Sequence, residues 1–347
     1  MRSLLLSVLF LASLTAADSK ALTIYFIDVE GGQSTLIVTA AGESLLVDAG
    51  FASDGKFSSQ PGDPASARDA QRIVAAMRDA RIDHLDNLLS THFHADHDGG
   101  VPELAQLTTI ARFIDHGRPA DDAEKGVPGT TAAFDAYTRA RGQAAHIDAT
   151  PGTKLPLRGV DAIVVSSAGK TIASPLAGGG AANTMCGPTR PAQEATENPR
   201  STGVRLRFGR FTFLDLGDLS GPPLYALFCP RDLLGSIDVY LLPHHGGVEA
   251  GDAAVFGAVP PRVAVVNNGA VKGGAPEMFA VAHAVTKTDV WQLHRSRNEG
   301  ARNFDDARIA NLDESTAYWI EVTAREDGSF SVTNARTNER RDYARRP

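Results

Sequence analysis

The chain has 347 residues, of which 43% are hydrophobic and 22% are charged, and its formal net charge is −7. This composition is ordinary for a globular protein, and the length is ample for a large core. Aromatic residues make up 7% of the chain, which argues against a stacking surface for single-stranded nucleic acid, and an acidic surface repels polyanions. We therefore expect a small-molecule substrate and no strong nucleic-acid binding, while the oligomeric state is left open.

The first 17 residues have the pattern of a secretory signal peptide. Arg2 forms a short basic region, residues 4–14 are an apolar run, and residues 15–17 are small enough for cleavage. The run is too short for a comfortable membrane span, and no cysteine follows it to carry a lipid anchor. We expect a periplasmic or secreted protein with no membrane segment after cleavage, and an uncleaved anchor is the alternative.

After this leader, the hydrophobic periodicity predicts strands, then a helix, then a buried strand. The helix follows a loop rich in glycine, serine and proline and has an apolar stripe. The buried strand leads into a polar turn that ends in Gly99-Gly100, and Pro102 marks the start of a further helix. The predicted ranges are strands 22–28, 34–39 and 44–48, a helix capped by Ser66 and running to about residue 81, and a strand over 85–89.

The sequence pattern of the rest of the chain predicts further strands and helices in alternation. Residues 117–200 are less regular, and we interpret them as an insertion within one domain that spans residues 22–347. Export makes Cys186 and Cys229 candidates for one disulfide, but the sequence does not show whether they approach each other. The predicted ranges are helix 130–141, strand 162–166, a hairpin of strands 204–208 and 211–216, strands 237–242 and 263–267, helix 276–287, and a hairpin of strands 317–324 and 330–333.

The most informative stretch is the turn after the strand at 85–89. It places three of the ten histidines and an aspartate within six positions, in the order His-x-His-x-Asp-His. A strand-to-helix turn lets these side chains converge on one point. Imidazole and carboxylate together suit zinc, manganese or iron, and ligands this close can serve two ions. The turn therefore predicts a metal site formed by His92, His94, Asp96 and His97.

This turn resembles the signature of the metallo-β-lactamase superfamily of hydrolases. Three further segments follow in the order that the family shows, each at the end of an apolar strand. These segments are Asp48-Ala49-Gly50, Gly217-Asp218 and His244-His245-Gly246. The resemblance implies an α/β fold (α+β) in the form of a four-layer αββα sandwich. It also implies a metal-dependent hydrolase with two divalent ions, most readily zinc, with manganese or iron as alternatives.

Within the superfamily, the chain most resembles the soluble metallo-hydrolase domain of bacterial DNA-uptake (competence) channel proteins. Their opening pattern, Phe-x-Asp-Val-Gly-x-Gly-Asp-Ser, is similar to residues 26–34 of this chain, and the late His-His-Gly points the same way. The chain departs from the opening pattern at Glu30 and Gln33. It also has no later membrane-spanning stretch, which separates it from the channel portion of those proteins.

The resemblance implies a role for each polar residue of the motifs. Asp218 would bridge the two ions, and Asp96 would also orient the attacking water, which a metal makes available as hydroxide near neutral pH. Asp48 is expected to hold a ligand imidazole in the correct tautomer, or else to cap a turn. The first ion would take His92 and His94, and the second would take Asp96, His97 and a late histidine.

Two positions of this site have alternative residues. For the late histidine we favour His244, which comes directly off a strand, and we expect His245 to protonate a leaving group or to be structural. The first ion usually has a third histidine just before the hairpin at 204–216, and the sequence has none there. Glu197 or Asn198 could substitute, water could fill the position, or His116 could supply the ligand.

The absence of a third histidine for the first ion affects which substrate we expect. Branches that hydrolyse β-lactams or lactones usually keep it, so we expect a phosphodiester substrate, with β-lactam or lactone hydrolysis as the alternative. A non-catalytic binding protein that retains the metal is a second alternative, against which the complete ligand set argues. Residues expected to contact the substrate are Asn268, Lys272 and His294.

Overall fold

The protein is described here by a computed structural model, which covers residues 21–188, 191–251, 253–257, 260–285 and 287–347. The expected signal peptide at 1–17 lies outside the described residues. The strands are β1 Leu22–Phe26, β2 Thr35–Val38, β3 Ser44–Val47, β4 His84–Leu85, β5 Asn87–Leu89, β6 Thr109–Ile110, β7 Arg112–Asp115, β8 Ala145–Asp148, β9 Asp161–Ser167, β10 Lys170–Thr171, β11 Gly203–Phe208, β12 Phe211–Asp215, β13 Val239–Leu241, β14 Val263–Val266, β15 Asp289–His294, β16 Ile309–Asn311, β17 Ile320–Ala324, β18 Phe330–Asn334 and β19 Arg340–Tyr343. The helices are α1 Arg68–Asp79, α2 Val101–Leu107, α3 Ala123–Gly126, α4 Thr130–Arg141, α5 Gly221–Phe228, α6 Ala253–Phe256 and α7 Pro276–Ala284.

Two large sheets face each other across the middle of the molecule. The first sheet has nine strands in the order β19-β18-β17-β1-β2-β3-β5-β7-β8, and the second has eight in the order β10-β9-β11-β12-β13-β14-β15-β16. Side chains alternate between the two faces of a strand. In β1, Leu22, Ile24 and Phe26 therefore enter the core between the sheets, while Tyr25 packs on the outer side of the first sheet.

Helices cover the outer face of each sheet. Ile73 of α1 and Tyr137 of α4 pack on the first sheet, and Leu227 of α5 and Phe279 of α7 pack on the second. Each of these side chains is fully buried, and burial of one such group stabilises the fold by about 1.5–3 kcal/mol. The architecture is therefore the predicted four-layer αββα sandwich, and that prediction is confirmed.

Several local predictions need adjustment. Helix α1 begins at Arg68 with Ala67 as its N-cap, because the hydroxyl of Ser66 donates to the carbonyl of Asp63 instead of capping the helix. Residues 117–200 contribute β8 to the first sheet and β9 and β10 to the second. The sequence did not indicate β19, which pairs with β18. Edge strands of this kind have a weak hydrophobic pattern because much of their surface faces water.

Two further expectations concern the cysteines and the membrane. Cys186 and Cys229 form a disulfide, which joins the loop before residue 187 to the end of α5. Across the residues that the structure describes, we find no helix both long and apolar enough to cross a bilayer.

The topology brings the polar motifs to one edge of the sandwich. Strands β3 and β5 are parallel in the first sheet, and β12, β13 and β14 are parallel in the second. The carboxyl ends of parallel strands lie at the same edge, which is where α/β proteins bind ligands. Each motif follows one of these strands, so the loops after β3, β5, β12 and β13 meet there.

Candidate metal centre

Four buried side chains form a group where the loops after β5, β12 and β13 meet. Asp96, His97, Asp218 and His245 each place one ligand atom within 4.8 Å of all the others. His97 Nε2 is 3.1 Å from Asp218 Oδ2 and 3.3 Å from Asp96 Oδ2. His245 Nε2 is 3.2 Å from an oxygen of each carboxylate. Two carboxylates and two imidazoles at this spacing are a suitable ligand set for one zinc ion.

The polar atoms of this group fit a bound cation. The Nε2 atoms of His97 and His245 lie 3.3 Å apart and face each other. Asp218 Oδ1 is buried without a well-directed hydrogen bond from any described residue, although His245 Nε2 lies 3.2 Å away. A cation among these atoms would use lone pairs that otherwise point at one another. The donor set and its geometry therefore fit a divalent metal.

Asp48 supports His97 from behind. Its Oδ2 is 2.7 Å from His97 Nδ1, and its two oxygens also accept hydrogen bonds from the amide and hydroxyl of Thr91, at 2.7 and 2.8 Å. Donation from Nδ1 makes Nε2 the atom of His97 that faces the metal position. Asp48 has a left-handed φ of 60°, a conformation that costs a non-glycine residue about 1–3 kcal/mol and is common at functional sites.

His92 and His94 lie beside the four-residue group. His92 Nε2 is 2.9 Å from His94 Nδ1 and 4.0 Å from Asp218 Oδ2. Burial lowers the pKa of both imidazoles, that of His94 to about 4, so both are neutral at pH 7 and offer lone pairs. Asp218 Oδ2 thus lies near both His92 and His97, and Oδ1 lies near His245. The carboxylate is placed between the two groups of histidines, as a bridging carboxylate requires.

The charges of the group depend strongly on one another. Burial alone would lower the pKa of His97, but the carboxylates of Asp218, Asp96 and Asp48 outweigh it and hold that pKa well above its usual value. Burial likewise favours a raised pKa for Asp96 and Asp218, but their neighbours outweigh it. Lys272 and His97 hold the pKa of Asp96 well below its usual range, and contacts with His245 and His97 do the same for Asp218. A metal ion therefore has to displace a proton from His97 to bind.

The two late histidines differ from the sequence-based assignment. His245 belongs to the four-residue group and is buried, whereas His244 does not belong to it. The Nε2 atom of His244 is 3.8 Å from Asp218 Oδ2, and its Nδ1 is 3.1 Å from Glu249 Oε2. Both histidines have left-handed φ values, 52° and 55°, so the chain turns back and aims the second imidazole inward. On this geometry we correct the order: His245, and not His244, is placed to bind the second ion.

The residues considered as a replacement for the missing histidine are placed differently from one another. His116 Nε2 is 3.0 Å from Glu197 Oε2, and Glu197 Oε1 is 3.0 Å from Arg200 Nε. His116 and Glu197 are thus engaged with each other, and the described ligand group includes neither. Asn198 reaches the site, with Nδ2 at 3.4 Å from His244 Nε2.

Among the three expected substrate contacts, Lys272 lies at the cluster. Its ammonium group forms an ion pair with Asp96 Oδ2 and lies over the ring of Phe57. Asn268 instead donates to the carbonyl groups of Gly269 and His294. His294 is fully buried, and its Nε2 is 2.7 Å from Asp28 Oδ1. We therefore correct the expectation for Asn268 and His294, whose side chains are committed to hydrogen bonds that hold neighbouring loops.

The opening segment supports the metal turn through its backbone. The amide of Gln33 donates to the carbonyl of Asp96 at 3.0 Å, and a Cβ atom on Gly32 would lie 2.4 Å from that same oxygen. Glu30 has a left-handed φ of 55° where the related pattern has glycine. Ion pairs with Arg68 and Arg72, at 2.9 and 2.8 Å, hold it there. The departures from the pattern thus have structural roles.

Sequence reasoning missed two acidic residues of the site. Glu249 contacts His244, but no motif spacing marks it. Asp98 follows the ligand turn directly and is buried, with no hydrogen-bond partner for either carboxylate oxygen among the described residues; burial raises its pKa well above the usual value. It lines a cavity of about 160 Å³ that also touches His94 and Phe93. The sequence signal that could have identified Asp98 is that an acidic residue directly follows the ligand motif.

Comparison with known proteins identifies the family to which the chain belongs. A family model described as the metallo-β-lactamase superfamily matches residues 27–224, more than half of the chain. No curated protein matches the chain.

Solved structures with a similar fold are distant in sequence. The metallo-β-lactamase fold protein YhfI from Bacillus subtilis is 13% identical, with a TM-score of 0.46, over 78% of this chain and 96% of that one. The subclass B3 metallo-β-lactamase MEM-A1 from a soil metagenome is 15% identical, with a TM-score of 0.38, over 67% and 84%. CmlA, a diiron β-hydroxylase from Streptomyces venezuelae, is 13% identical, with a TM-score of 0.40, over 72% of this chain and 45% of its own. A variant of CmlA gives a TM-score of 0.45, and this chain spans 53% of that variant's length.

Proposed function

This chain belongs to the metallo-β-lactamase superfamily, and we propose that it is an exported hydrolase of small phosphodiesters that uses two divalent ions, most readily zinc. The second ion would be held by Asp96, His97 and His245, the first by His92 and His94, and Asp218 would bridge them. When bound, two such ions acidify a water molecule and neutralise charge on the phosphoryl oxygens.

One observation carries the choice of an anionic substrate. Lys272 forms an ion pair with Asp96 at the edge of the buried group, and it lines a cavity of about 410 Å³ together with His244 and His245. A carboxylate that binds a metal no longer needs the lysine as its counter-charge. The ammonium group is then available to a non-bridging phosphoryl oxygen, where a positive charge stabilises the charge that develops in the transition state.

The other side chains of the site have positioning roles. Asp96 would orient the attacking water as well as hold the second ion, and Asp48 would keep the imidazole of His97 in one tautomer. The cavity beside His94 is small and mostly apolar, and its lining includes Phe57, Phe93 and Val127. It suits a compact leaving group better than a polymer, and the net charge of −7 also disfavours a grip on long nucleic acid.

The test is a substrate panel on purified, metal-loaded protein. Bis(p-nitrophenyl) phosphate should be hydrolysed, while a chromogenic β-lactam and a lactone should be poor substrates. Lys272→Ala should lower kcat/KM for the diester by roughly 100- to 1,000-fold, as expected for loss of one charge-stabilising group. Lys272→Arg should restore part of it. The exposed Lys170→Ala is the matched control. Efficient β-lactam opening with no diester cleavage would promote the alternative substrate class, and no turnover by the fully loaded protein would favour a binding function.

Export is the remaining part of the proposal. The basic, apolar and small-residue segments of residues 1–17 have signal-peptide order, and a disulfide between Cys186 and Cys229 is expected in an oxidising compartment. Mass spectrometry of the protein from a periplasmic fraction should give a mature chain that begins shortly after residue 17. A full-length chain in the cytoplasmic fraction would contradict export.

A further inference from the structure

The first metal position has an open place in its ligand set. His92 and His94 come from the turn after β5, and Asp218 lies within reach of His92. The residues just before β11, where the family has its third histidine, supply no imidazole. Glu197 from that segment is engaged by His116 and Arg200. The side chain that faces the open place comes from another loop, the one after β13.

That side chain is His244. Two ligands of one zinc ion lie no more than about 4.2 Å apart, since each metal–ligand bond is about 2.1 Å long. His244 Nε2 is 3.8 Å from Asp218 Oδ2, and His92 Nε2 is 4.0 Å from the same oxygen. A single oxygen of Asp218 is therefore close enough to share one ion with both imidazoles. His245 Nε2 is near the other oxygen, Oδ1, at 3.2 Å, and His97 Nε2 is 3.1 Å from Oδ2. Oδ2 therefore lies between His97 on the second ion's side and His92 and His244 on the first ion's side.

The hydrogen bonds of His244 prepare its Nε2 atom for a metal. Its Nδ1 is 3.1 Å from Glu249 Oε2, so Nδ1 donates to that carboxylate. Nε2 is then the atom left to face a metal, and the amide nitrogen of Asn198 lies 3.4 Å from it. The same arrangement occurs at the second position, where Asp48 accepts from Nδ1 of His97. Carboxylates that orient ligand imidazoles in this way are a regular feature of metal sites.

We propose that His244 is the third histidine ligand of the first metal ion and that Glu249 is the residue that positions it. The loop after β13 then serves both ions: His245 binds the second ion and His244 binds the first. This arrangement replaces the histidine that is absent before β11. The inference rests on the proposed two-metal centre, but it does not depend on the identity of the substrate.

The experiment counts metal ions and does not rely on activity. Zinc content at fixed free zinc is measured by equilibrium dialysis and mass spectrometry for the wild type, His244→Asn, His245→Asn and Glu249→Ala, and cobalt-substituted samples are compared by visible absorption. Asparagine suits both histidine positions because it tolerates a left-handed φ and its side chain is shorter than that of histidine. The exposed His84→Asn is the matched control.

The wild type should bind two ions. His244→Asn should keep one ion at wild-type affinity and bind the other at least about 100-fold more weakly, and Glu249→Ala should weaken that same ion about 10- to 100-fold, as expected for an orienting carboxylate. Cobalt in the first position should lose absorption intensity as its ligand number changes. His244→Asn that binds two ions at unchanged affinity would overturn the inference alone. A wild type that binds no ion would overturn both the inference and the metal centre. If Asn198→Ala or His116→Ala lost the metal and His244→Asn did not, the third ligand would be Asn198 or His116 and the inference would be wrong.

Discussion

The two proposed metal positions are built in different ways, although one six-residue turn would supply ligands to both. The second position has four buried side chains from the loops of both sheets, all within 4.8 Å of one another. The first position has two buried histidines from the turn, and the histidine proposed to complete it, His244, has a side chain that is 30% exposed. A site enclosed by packed loops is preorganised, whereas a site completed at its rim depends on how well one loop is held. We therefore infer that the second ion binds more tightly than the first.

Packing explains why the second position is the more rigid one. Gly217 has a left-handed φ of 57°, and a Cβ atom there would lie 2.8 Å from Cβ of Thr91. The loop that carries Asp218 thus packs directly on the residue before His92. Thr91 also donates to Asp48, which holds His97. The residues of the second position are therefore held by a chain of contacts through Thr91 and Asp48. His244 is held by Glu249, on a short loop at the surface.

The largest effect should follow the loss of the one residue shared by both positions. Asp218→Ala should lower the affinity for both ions and reduce hydrolysis by about 10³-fold or more, as is usual when a central catalytic group is removed. Metal content, rate and circular dichroism are measured together, with the exposed Asp121→Ala as control. If the rate stayed within a few-fold of wild type with a native spectrum, Asp218 would not bridge the ions.

A smaller effect should separate the two positions. Asp48→Asn keeps a side chain that tolerates the left-handed backbone but removes the charge that orients His97. The second ion should bind about 10- to 100-fold more weakly, and the first ion should change less. Isothermal titration with zinc can resolve the two steps. Equal weakening of both steps would show that the positions are not supported independently.

The pH dependence of stability should reverse on metal binding. In the metal-free protein the raised pKa of His97 gives stability that is full below its usual value of 6.5 and is lost as the pH rises through the raised value. Burial raises the pKa of Asp215 from 3.8 to about 7, so its contribution to stability is lost as the pH rises from 3.8 to about 7. The lowered pKa values of Asp96 and Asp218 give stability that is full above 3.8 and lost below it.

The contribution of His97 should therefore make the metal-free protein lose stability as the pH rises above 6.5. The zinc-loaded protein should instead gain stability from pH 5 to 7, roughly, because the ion needs deprotonated imidazoles. Thermal unfolding across this range, with chelator and with zinc, measures both curves. Parallel curves would contradict the linkage of metal binding to the proton on His97.

The smallest effect on the site should come from the disulfide. Cys186 and Cys229 are 43 residues apart, and reduction should lower the free energy of unfolding by up to about 4 kcal/mol. Cys229 packs with Tyr225 and Ala254, away from the ligands, so metal content should not change. Urea unfolding and zinc analysis with and without reductant test this. Release of zinc on reduction would link the disulfide to the metal centre.

The sequence predicted the layers and the ligand turn because each has a strong local pattern. Alternating apolar residues in β11 and β12 marked buried strands, and the His-x-His-x-Asp-His spacing marked the metal site. The order of His244 and His245 was not predictable, since it depends on two left-handed backbone conformations that no side-chain pattern encodes. Glu249 is only five residues from His244, but its contact depends on the same left-handed turn. The pairing of His116 with Glu197 joins loops that are distant in sequence. Strands β8 and β19 lie at the edges of the first sheet, where the hydrophobic signal is weak.

The number and relative affinity of the bound ions test this account most directly. Zinc is titrated into metal-free wild type against a competing chelator of known affinity. We predict two equivalents with clearly different affinities, and in His245→Asn the tighter equivalent should be the one that is lost. A single equivalent, two equivalents of equal affinity, or loss of the weaker equivalent in His245→Asn would contradict the assignment of the buried four-residue group as the tighter metal site.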